Sequence, residues 1–333
     1  MRVFLSYGRM GLRMGAIEVN GLRKAFPNGV EAVAGIDLTV EQGEIFGFLG
    51  PNGAGKSTTT RMLTTLLRPT AGGGRVAGLD ILKQSAQVRR VIGVALQDAG
   101  LDYLATGREL LEVQGRLHGL HGRLVREQAD KMLTLVGLKD AAERRVGTYS
   151  GGMRRRLDLA SALVHDPEIL FLDEPTAGLD PASRQAIWDE VVHMNQKRGI
   201  TVFLTTQYLE EADRLADRVA IIDHGRIVAE GSPEELKASI GADIVTVGVP
   251  DDQVARAEKA LSKLEGLKEI QTDAKGLTLF LHDGSEAVAR VIRLLDKAKV
   301  SVGSITVSSP TLDEVFLRLT GSRLEGATDE VAS

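Results

Sequence analysis

Gly50-Pro51-Asn52-Gly53-Ala54-Gly55-Lys56-Ser57-Thr58 fits the pattern G-x-x-x-x-G-K-[ST], and its surroundings decide the fold. The segment before it, Glu44 to Leu49 (EIFGFL), reads as a buried strand, and Lys56 to Leu67 reads as a helix. Glycine lets a chain curl where other residues clash, so successive backbone N–H groups can surround one anion. The opening helix adds the positive end of its dipole at the same place. Phosphate is the anion this arrangement suits. Lys56 would reach the β- and γ-phosphates of a nucleoside triphosphate, and the Ser57 hydroxyl would ligate Mg²⁺.

Working outward, the pattern from Ala16 to about Gly231 alternates short apolar runs with amphipathic stretches, which predicts an α/β domain over residues 15–235. Ile169 to Leu172 (ILFL), Val202 to Thr206 and Val219 to Asp223 read as buried parallel strands. The first of these ends in Asp173 and Glu174, adjacent carboxylates at the strand edge where open α/β sheets bind ligands. Asp173 would hold the water shell of Mg²⁺, and Glu174 would polarise the water that attacks the γ-phosphate. Between about 106 and 165 helical periodicity replaces the strand signal, which predicts a helical insertion. After Pro233 the order strand-helix-strand-strand-helix-strand predicts a small ferredoxin-like α+β domain over 240–320, closed by a helix from Thr311 to Thr320. Residues 1–14 and 321–333 read as a disordered extension and a flexible tail, with Met10 and Met14 as alternative initiators.

Composition excludes several classes. With 43% hydrophobic and 26% charged residues the chain has the balance of a globular protein with a sizeable core. A net charge of -4 gives no electrostatic reason to expect nucleic acid as a partner. Without cysteine there are no disulfides and no thiolate metal sites. Charges or glycines interrupt every apolar run before the roughly 20 residues that a membrane helix needs. Membrane contact is therefore expected through a partner, with the chain on the cytoplasmic side.

A second glycine pair narrows the class. Tyr149-Ser150-Gly151-Gly152-Met153-Arg154-Arg155-Arg156-Leu157 places two glycines before a helix, another potential anion site, with Ser150 suited to capping that helix. The segment resembles the LSGGQ signature of ABC ATPases and lies just upstream of Asp173, as it does in them. The resemblance implies an ATP-hydrolysing homodimer in which Ser150, Gly151, Gly152 and Met153 of one subunit close on the triphosphate held by the other. It implies that Gln97, at the join with the helical insertion, senses Mg²⁺ and transmits motion. Asp180, in Gly178-Leu179-Asp180, is implied to cross the dimer interface. Phe26 lies where the family stacks an aromatic ring on adenine, although a core phenylalanine is the other reading of this residue. Where the family has a switch histidine this chain has Gln207, whose amide can donate to phosphate but cannot carry a proton. Hydrolysis is expected to survive at a modest rate.

The signature variant, the segment Thr205-Thr206-Gln207-Tyr208-Leu209-Glu210-Glu211-Ala212 and the closing Leu312-Asp313-Glu314-Val315-Phe316-Leu317 resemble daunorubicin/doxorubicin-resistance ATP-binding subunits. That resemblance implies export of a drug- or antibiotic-like compound through a separate ABC-2-type permease. Two other readings compete with it: a soluble ABC ATPase acting on ribosomes or DNA, and an importer cassette. A single cassette without a heptad run argues against the first, and Gln207 with the final helix argues against the second. The C-terminal domain offers no catalytic constellation and reads as structural or dimer-stabilising, with Asp313 and Glu314 as a solvated face.

Overall fold

The computed structural model describes residues 15–97, 100–240, 243–273, 276–281, 284–308 and 311–321. The expected N-terminal extension and all of the expected tail but Gly321 lie outside the described residues. The chain divides between Glu230 and Gly231 into two compact units.

The strands of the first unit are β1 (Ile17–Ala25), β2 (Glu31–Val40), β3 (Ile45–Leu49), β4 (Ala71–Val76), β5 (Leu79–Asp80), β6 (Ile92–Ala95), β7 (Ile169–Asp173), β8 (Thr201–Thr206), β9 (Arg218–Asp223) and β10 (Arg226–Gly231). Its helices are α1 (Lys56–Leu63), α2 (Ser85–Val91), α3 (Gly107–Leu117), α4 (Arg123–Leu135), α5 (Gly151–Leu163), α6 (Pro181–Arg198) and α7 (Leu209–Leu215). One sheet runs β10-β9-β3-β8-β7-β6, with β9, β3, β8, β7 and β6 paired in parallel. The register sets Leu49 beside Thr206 and Asp173 beside Thr205, so β3, β7 and β8 end together at one edge. That edge carries the site.

Alternation along these strands divides the core in two. Phe46, Phe48, Phe171 and Phe203 point to one face, and Ile45, Leu170, Leu172, Val202 and Leu204 point to the other. Phe203 lies at the centre of the first face, with ring centroids 5.9, 5.5 and 5.6 Å from Phe46, Phe48 and Phe171. A second sheet, β2-β1-β4-β5, covers that face with Ile17, Leu22 and Ile36. It is antiparallel throughout. The sequence pattern gave no sign of it as a separate layer. Its strands are half-buried and bulged, and β4 (AGGGRV) carries almost no apolar side chain to set a period. The opposite face packs against α3, α4, α5 and α6 through Leu111, Met132, Leu157 and Trp188.

Local chemistry fixes the helix ends. Thr106 and Glu109 form a reciprocal capping box on α3. Asp180 caps α6, with Pro181 next to it and Gly199 in a left-handed turn at the far end. Helix α1 stops at Leu63 rather than reaching Leu67, because Thr65 takes a left-handed φ of 65°.

The second unit contains α8 (Pro233–Ile240), β11 (Asp243–Gly248), α9 (Val254–Leu261), β12 (Leu267–Asp273), β13 (Gly276–Leu281), α10 (Gly284–Lys297), β14 (Ser304–Ser308) and α11 (Leu312–Thr320). Its sheet order, β12-β13-β11-β14 with antiparallel neighbours, is that of a ferredoxin-like sandwich. Val245, Leu279, Leu261 and Val291 fill its own core. The expected solvated face on α11 is not what the structure has. Asp313 and Glu314 are half-buried, and Glu314 closes a capping box with Thr311.

Candidate functional site

The Gly50–Thr58 loop leaves β3 and enters α1 as its sequence predicts. Two of its glycines are required by space. A Cβ on Gly50 would lie 2.3 Å from the Ile222 carbonyl oxygen, and one on Gly55, at φ +109°, would lie 2.3 Å from that of Ala32. Asn52 and Gly53 are exposed, Pro51, Ser57 and Thr58 are half-buried, and Ala54 is buried.

Lys56 is only 4% exposed. Its ammonium donates to the carbonyl oxygens of Gly50 (2.7 Å) and Pro51 (3.1 Å) and pairs with Glu174 Oε1 at 3.2 Å. Burial pushes the Lys56 pKa below its ordinary value, opposed by the charges of Glu174 and Asp173. The neighbouring Ser57 Oγ donates to Asp173 Oδ1 at 3.1 Å, and Thr205 Oγ1 donates to the same oxygen at 2.5 Å. A hydroxyl and a carboxylate converging on one point are the oxygen donors that a hard cation such as Mg²⁺ takes, so the residues present fit that ion.

Glu174 has a left-handed φ of +47°. Side chains pay about 1–2 kcal/mol for that conformation, which persists only where the surroundings over-determine it. Here the Glu174 N–H donates to the Thr205 carbonyl at 3.0 Å. On either side of it, the carbonyls of Asp173 and Pro175 accept from the Arg155 guanidinium at 3.1 and 2.7 Å. The backbone thereby turns the carboxylate towards Lys56.

Ser150 caps α5, its hydroxyl accepting from the Met153 N–H at 3.2 Å. Gly151 and Gly152 lie inside the first turn of α5 rather than before it. Ser150 and Gly151 are exposed, and Met153 packs against the helical core. A Cβ on Gly152 would come within 2.7 Å of Ser183 Oγ, whose own hydroxyl donates to Asp180. Among the described residues, no hydrogen bond or ion pair joins this turn to the Gly50–Thr58 loop. The two glycine-rich segments of one chain are not brought together.

Gln97 is exposed at the end of β6, and Gln207 is half-buried just after β8. Phe26 is half-buried at the turn between β1 and β2, outside the core clusters, with the Lys24 ammonium 5.3 Å from its ring centroid.

A family model described as ABC transporter matches residues 33–177. Another, described as ATP-binding protein DrrA1-3-like, C-terminal domain, matches residues 231–320. The daunorubicin/doxorubicin resistance ATP-binding protein DrrA of Streptomyces peucetius is 47% identical over 320 residues, 96% of each chain. The chain belongs to the ABC transporter ATP-binding proteins.

Other members of the family align almost as fully. The doxorubicin resistance ATP-binding protein DrrA of Mycobacterium tuberculosis is 43% identical, over 95% of this chain and 97% of its own. The Nod factor export ATP-binding protein I of Rhizobium sp. is 40% identical over 93% and 98%. Among solved structures, cbiO1 from Clostridium perfringens, part of the ABC transporter complex cbiONQ, superposes with a TM-score of 0.63 at 27% identity. It covers 75% of this chain and 96% of its own. A dimeric bacterial ABC transporter cassette, MJ0796, gives a TM-score of 0.61 at 25% identity over 65% and 98%. As a member of this family the chain is an ATP-binding, transport-coupled ATPase.

Sequence reasoning passed over polar residues that the fold buries beside Asp173 and Glu174. Arg155, Thr205 and Glu211 stand in the quoted segments but were given no role, although each is buried and polar behind the sheet edge that carries Lys56 and Glu174. Arg155 carried a usable signal. It occupies the apolar stripe of α5 together with Leu159 and Ala162, where a charge at helical spacing has to be paired. Its partner is Asp158 at 3.0 Å, whose pKa burial raises to about 6 despite the guanidinium beside it.

Proposed function

We propose that this ABC subunit works as a homodimer that hydrolyses ATP to drive export of a drug- or antibiotic-like compound through a separate ABC-2-type permease. The observation that carries this reading is the convergence of Lys56, Ser57, Asp173 and Glu174 at one sheet edge. The Gly50–Thr58 backbone would wrap the phosphates, with Lys56 exchanging its carbonyl and carboxylate partners for the β- and γ-phosphate oxygens. Mg²⁺, held by Ser57, Asp173 and Gln97, would supply charge neutralisation for the triphosphate. Glu174 would polarise the attacking water, and the Gln207 amide would donate to the γ-phosphate. Phe26, outside the core and half-exposed, would stack on the adenine.

The Ser150–Met153 turn would complete the site of the partner subunit. Its exposure, and its lack of contact with the chain's own phosphate loop, support action in trans. Asp180, bonded to Ser183 against Gly152, would carry the dimer contact into the same region. Hydrolysis and product release would let the pair reopen, moving the helical insertions with it.

No helix among the described residues is long and apolar enough to cross a membrane. The chain would sit on the cytoplasmic face, held through the permease. Beside Gln97, a cavity of about 480 Å³ is lined by Leu96, Leu101, Leu110 and Val113, and its border includes the exposed Leu66 and Leu117. An apolar hollow where the core meets the helical insertion suits a helix of such a partner. The export reading takes further support from relatives named for drug resistance and Nod factor export.

The test is accumulation of doxorubicin in cells expressing the chain with its cognate membrane subunit. Accumulation should fall with the parental chain and stay high with Lys56→Ala. Equal accumulation in the two would overturn the export reading.

A further inference from the structure

Arg155 sits in α5, the helix that opens with the signature turn, yet its guanidinium reaches past its own helix. Nε donates to the Pro175 carbonyl (2.7 Å) and Nη2 to the Asp173 carbonyl (3.1 Å). Nη1 donates to the Leu96 carbonyl (2.6 Å) and to Asp158 Oδ2 (3.0 Å). All three nitrogens of a buried guanidinium are therefore engaged, and the acceptors are not scattered. Two of them flank Glu174, one residue before and one after it. A third immediately precedes Gln97.

We propose that Arg155 is a positioning residue for Glu174: its planar fork holds the two carbonyls that bracket the left-handed Glu174 backbone and ties that turn to the Gln97 segment. The proposal rests on the reading of Glu174 as the group that polarises water. Its physical content is geometric. A guanidinium presents five donors in a fixed plane and spans carbonyls on separate strands, whereas an ammonium is a single point with a different reach. Glu174 itself is held by its N–H, which donates to the Thr205 carbonyl (3.0 Å) and to Thr205 Oγ1 (3.2 Å), by its carbonyl, which accepts from the Ala177 N–H (3.2 Å), and by the pairing of its carboxylate with Lys56. Without the fork the carbonyls on both flanks of this strained turn lose their donor, and the carboxylate would shift from where water must be polarised even though its own bonds remain. Because the Leu96 carbonyl shares the same guanidinium, a shift of the helical insertion at Gln97 would reach the catalytic carboxylate through one side chain.

A purely structural Arg155 would exist to neutralise Asp158, and the two roles separate by substitution. Arg155→Lys keeps the charge beside Asp158 and removes the fork. In the full-length chain we expect its ATPase kcat to fall on the order of tenfold to a hundredfold, as when a positioned group is displaced, while KM for ATP and binding of ADP change by less than about twofold. Asp158→Asn leaves the carbonyl bonds in place and should keep kcat within about threefold of the parent. If Arg155→Lys is poorly folded, Arg155→Met combined with Asp158→Leu removes the buried pair together, a change that is often tolerated. The same loss of kcat is expected of the folded double variant. In a Glu174→Gln background Arg155→Lys should cost nothing further, because residues acting as one unit are not additive.

A folded Arg155→Lys or double variant that hydrolyses ATP at the parental rate, with Glu174→Gln inactive, overturns the proposal and leaves the Glu174 reading intact. Glu174→Gln that hydrolyses at the parental rate overturns the Glu174 reading itself, whatever Arg155 does. Asp158→Asn matching the loss in Arg155→Lys would assign Arg155 to charge pairing and also overturn the proposal.

Discussion

The two glycine-rich segments of the first unit differ in what their own chain does for them. The base of the Gly50–Thr58 loop is held by its own chain: Lys56 has three acceptors, Ser57 bonds Asp173, and the strand edge behind it is buried. The Ser150–Met153 turn has its capping bond and a close approach to Ser183, and otherwise Ser150 and Gly151 stay exposed. A site with its polar partners in place can bind in one chain. An exposed helix N-terminus of the same chemical type suits a ligand delivered by a second copy. On the proposed reading, the difference between the loops is one between gripping and lending.

The largest effect tests the gripping side. Glu174→Gln keeps shape and most hydrogen bonding while removing the carboxylate proposed to polarise water, so kcat for ATP should fall by about 10²–10⁴-fold. ADP should still bind, since the loop and Lys56 are intact. Turnover at the parental rate, measured by phosphate release, would remove Glu174 from the reaction.

The lending side is tested next. A methyl group on Gly152 meets the Ser183 hydroxyl at 2.7 Å, and Ser183 is already committed to Asp180 through both its N–H and its Oγ. Gly152→Ala should therefore disturb the signature turn and the start of α6 together. Hydrolysis is expected to drop on the order of tenfold or more, as when one preorganised donor is lost, with ADP affinity of the single chain unchanged. Weakened ADP binding in titration calorimetry would erase the distinction between the two loops.

Gln207 belongs to neither loop, and its effect should be smaller. Gln207→Ala removes the amide proposed to donate to phosphate, a loss on the order of 1 kcal/mol and so roughly five- to tenfold in kcat. A loss as large as that of Glu174→Gln would make the amide an equal partner in catalysis.

The same contrast explains what could be read from the sequence. The Lys56 loop was legible because the motif, the strand before it and the helix after it are contiguous, and each obeys a local rule. The ferredoxin-like order of the second unit was legible for the same reason, since its strands and helices alternate with ordinary turns. The antiparallel layer was not, because Gly72, Gly73 and Gly74 in β4 leave no periodicity to read and its register is set by β1, far away in sequence. Glu174 could be named, but the device that holds it could not. Arg155 reaches the carbonyls on either side of it across 18 and 20 residues, Thr205 accepts from its N–H across 31, and only pairing in space makes them neighbours.

The smallest effect concerns α5 below its exposed turn, where burial rather than a ligand sets the chemistry. Asp158, only 8% exposed, has its pKa raised by burial from 3.8 to about 6, against the opposing Arg155 charge. A carboxyl whose pKa is higher folded than unfolded contributes stability below pH 3.8 and loses it as pH rises through about 6. Just past the end of α5, His165 titrates the other way. Burial, with the His118 ring stacked 3.6 Å away, lowers its pKa from 6.5 to about 4, against Asp166 and a contact to the Ile92 carbonyl. Its contribution is present above pH 6.5 and is lost as pH falls through about 4. The two slopes oppose each other over the same window, so only a comparison with a variant separates them. Asp158→Asn removes one slope. A shift of about two pKa units is on the order of 3 kcal/mol, so its melting temperature relative to the parent should climb by roughly 6–12 °C between pH 4 and pH 7. Parallel curves for the two chains would mean that Asp158 ionises in the fold as it does in water, and that the buried end of α5 is as open as the turn that starts it.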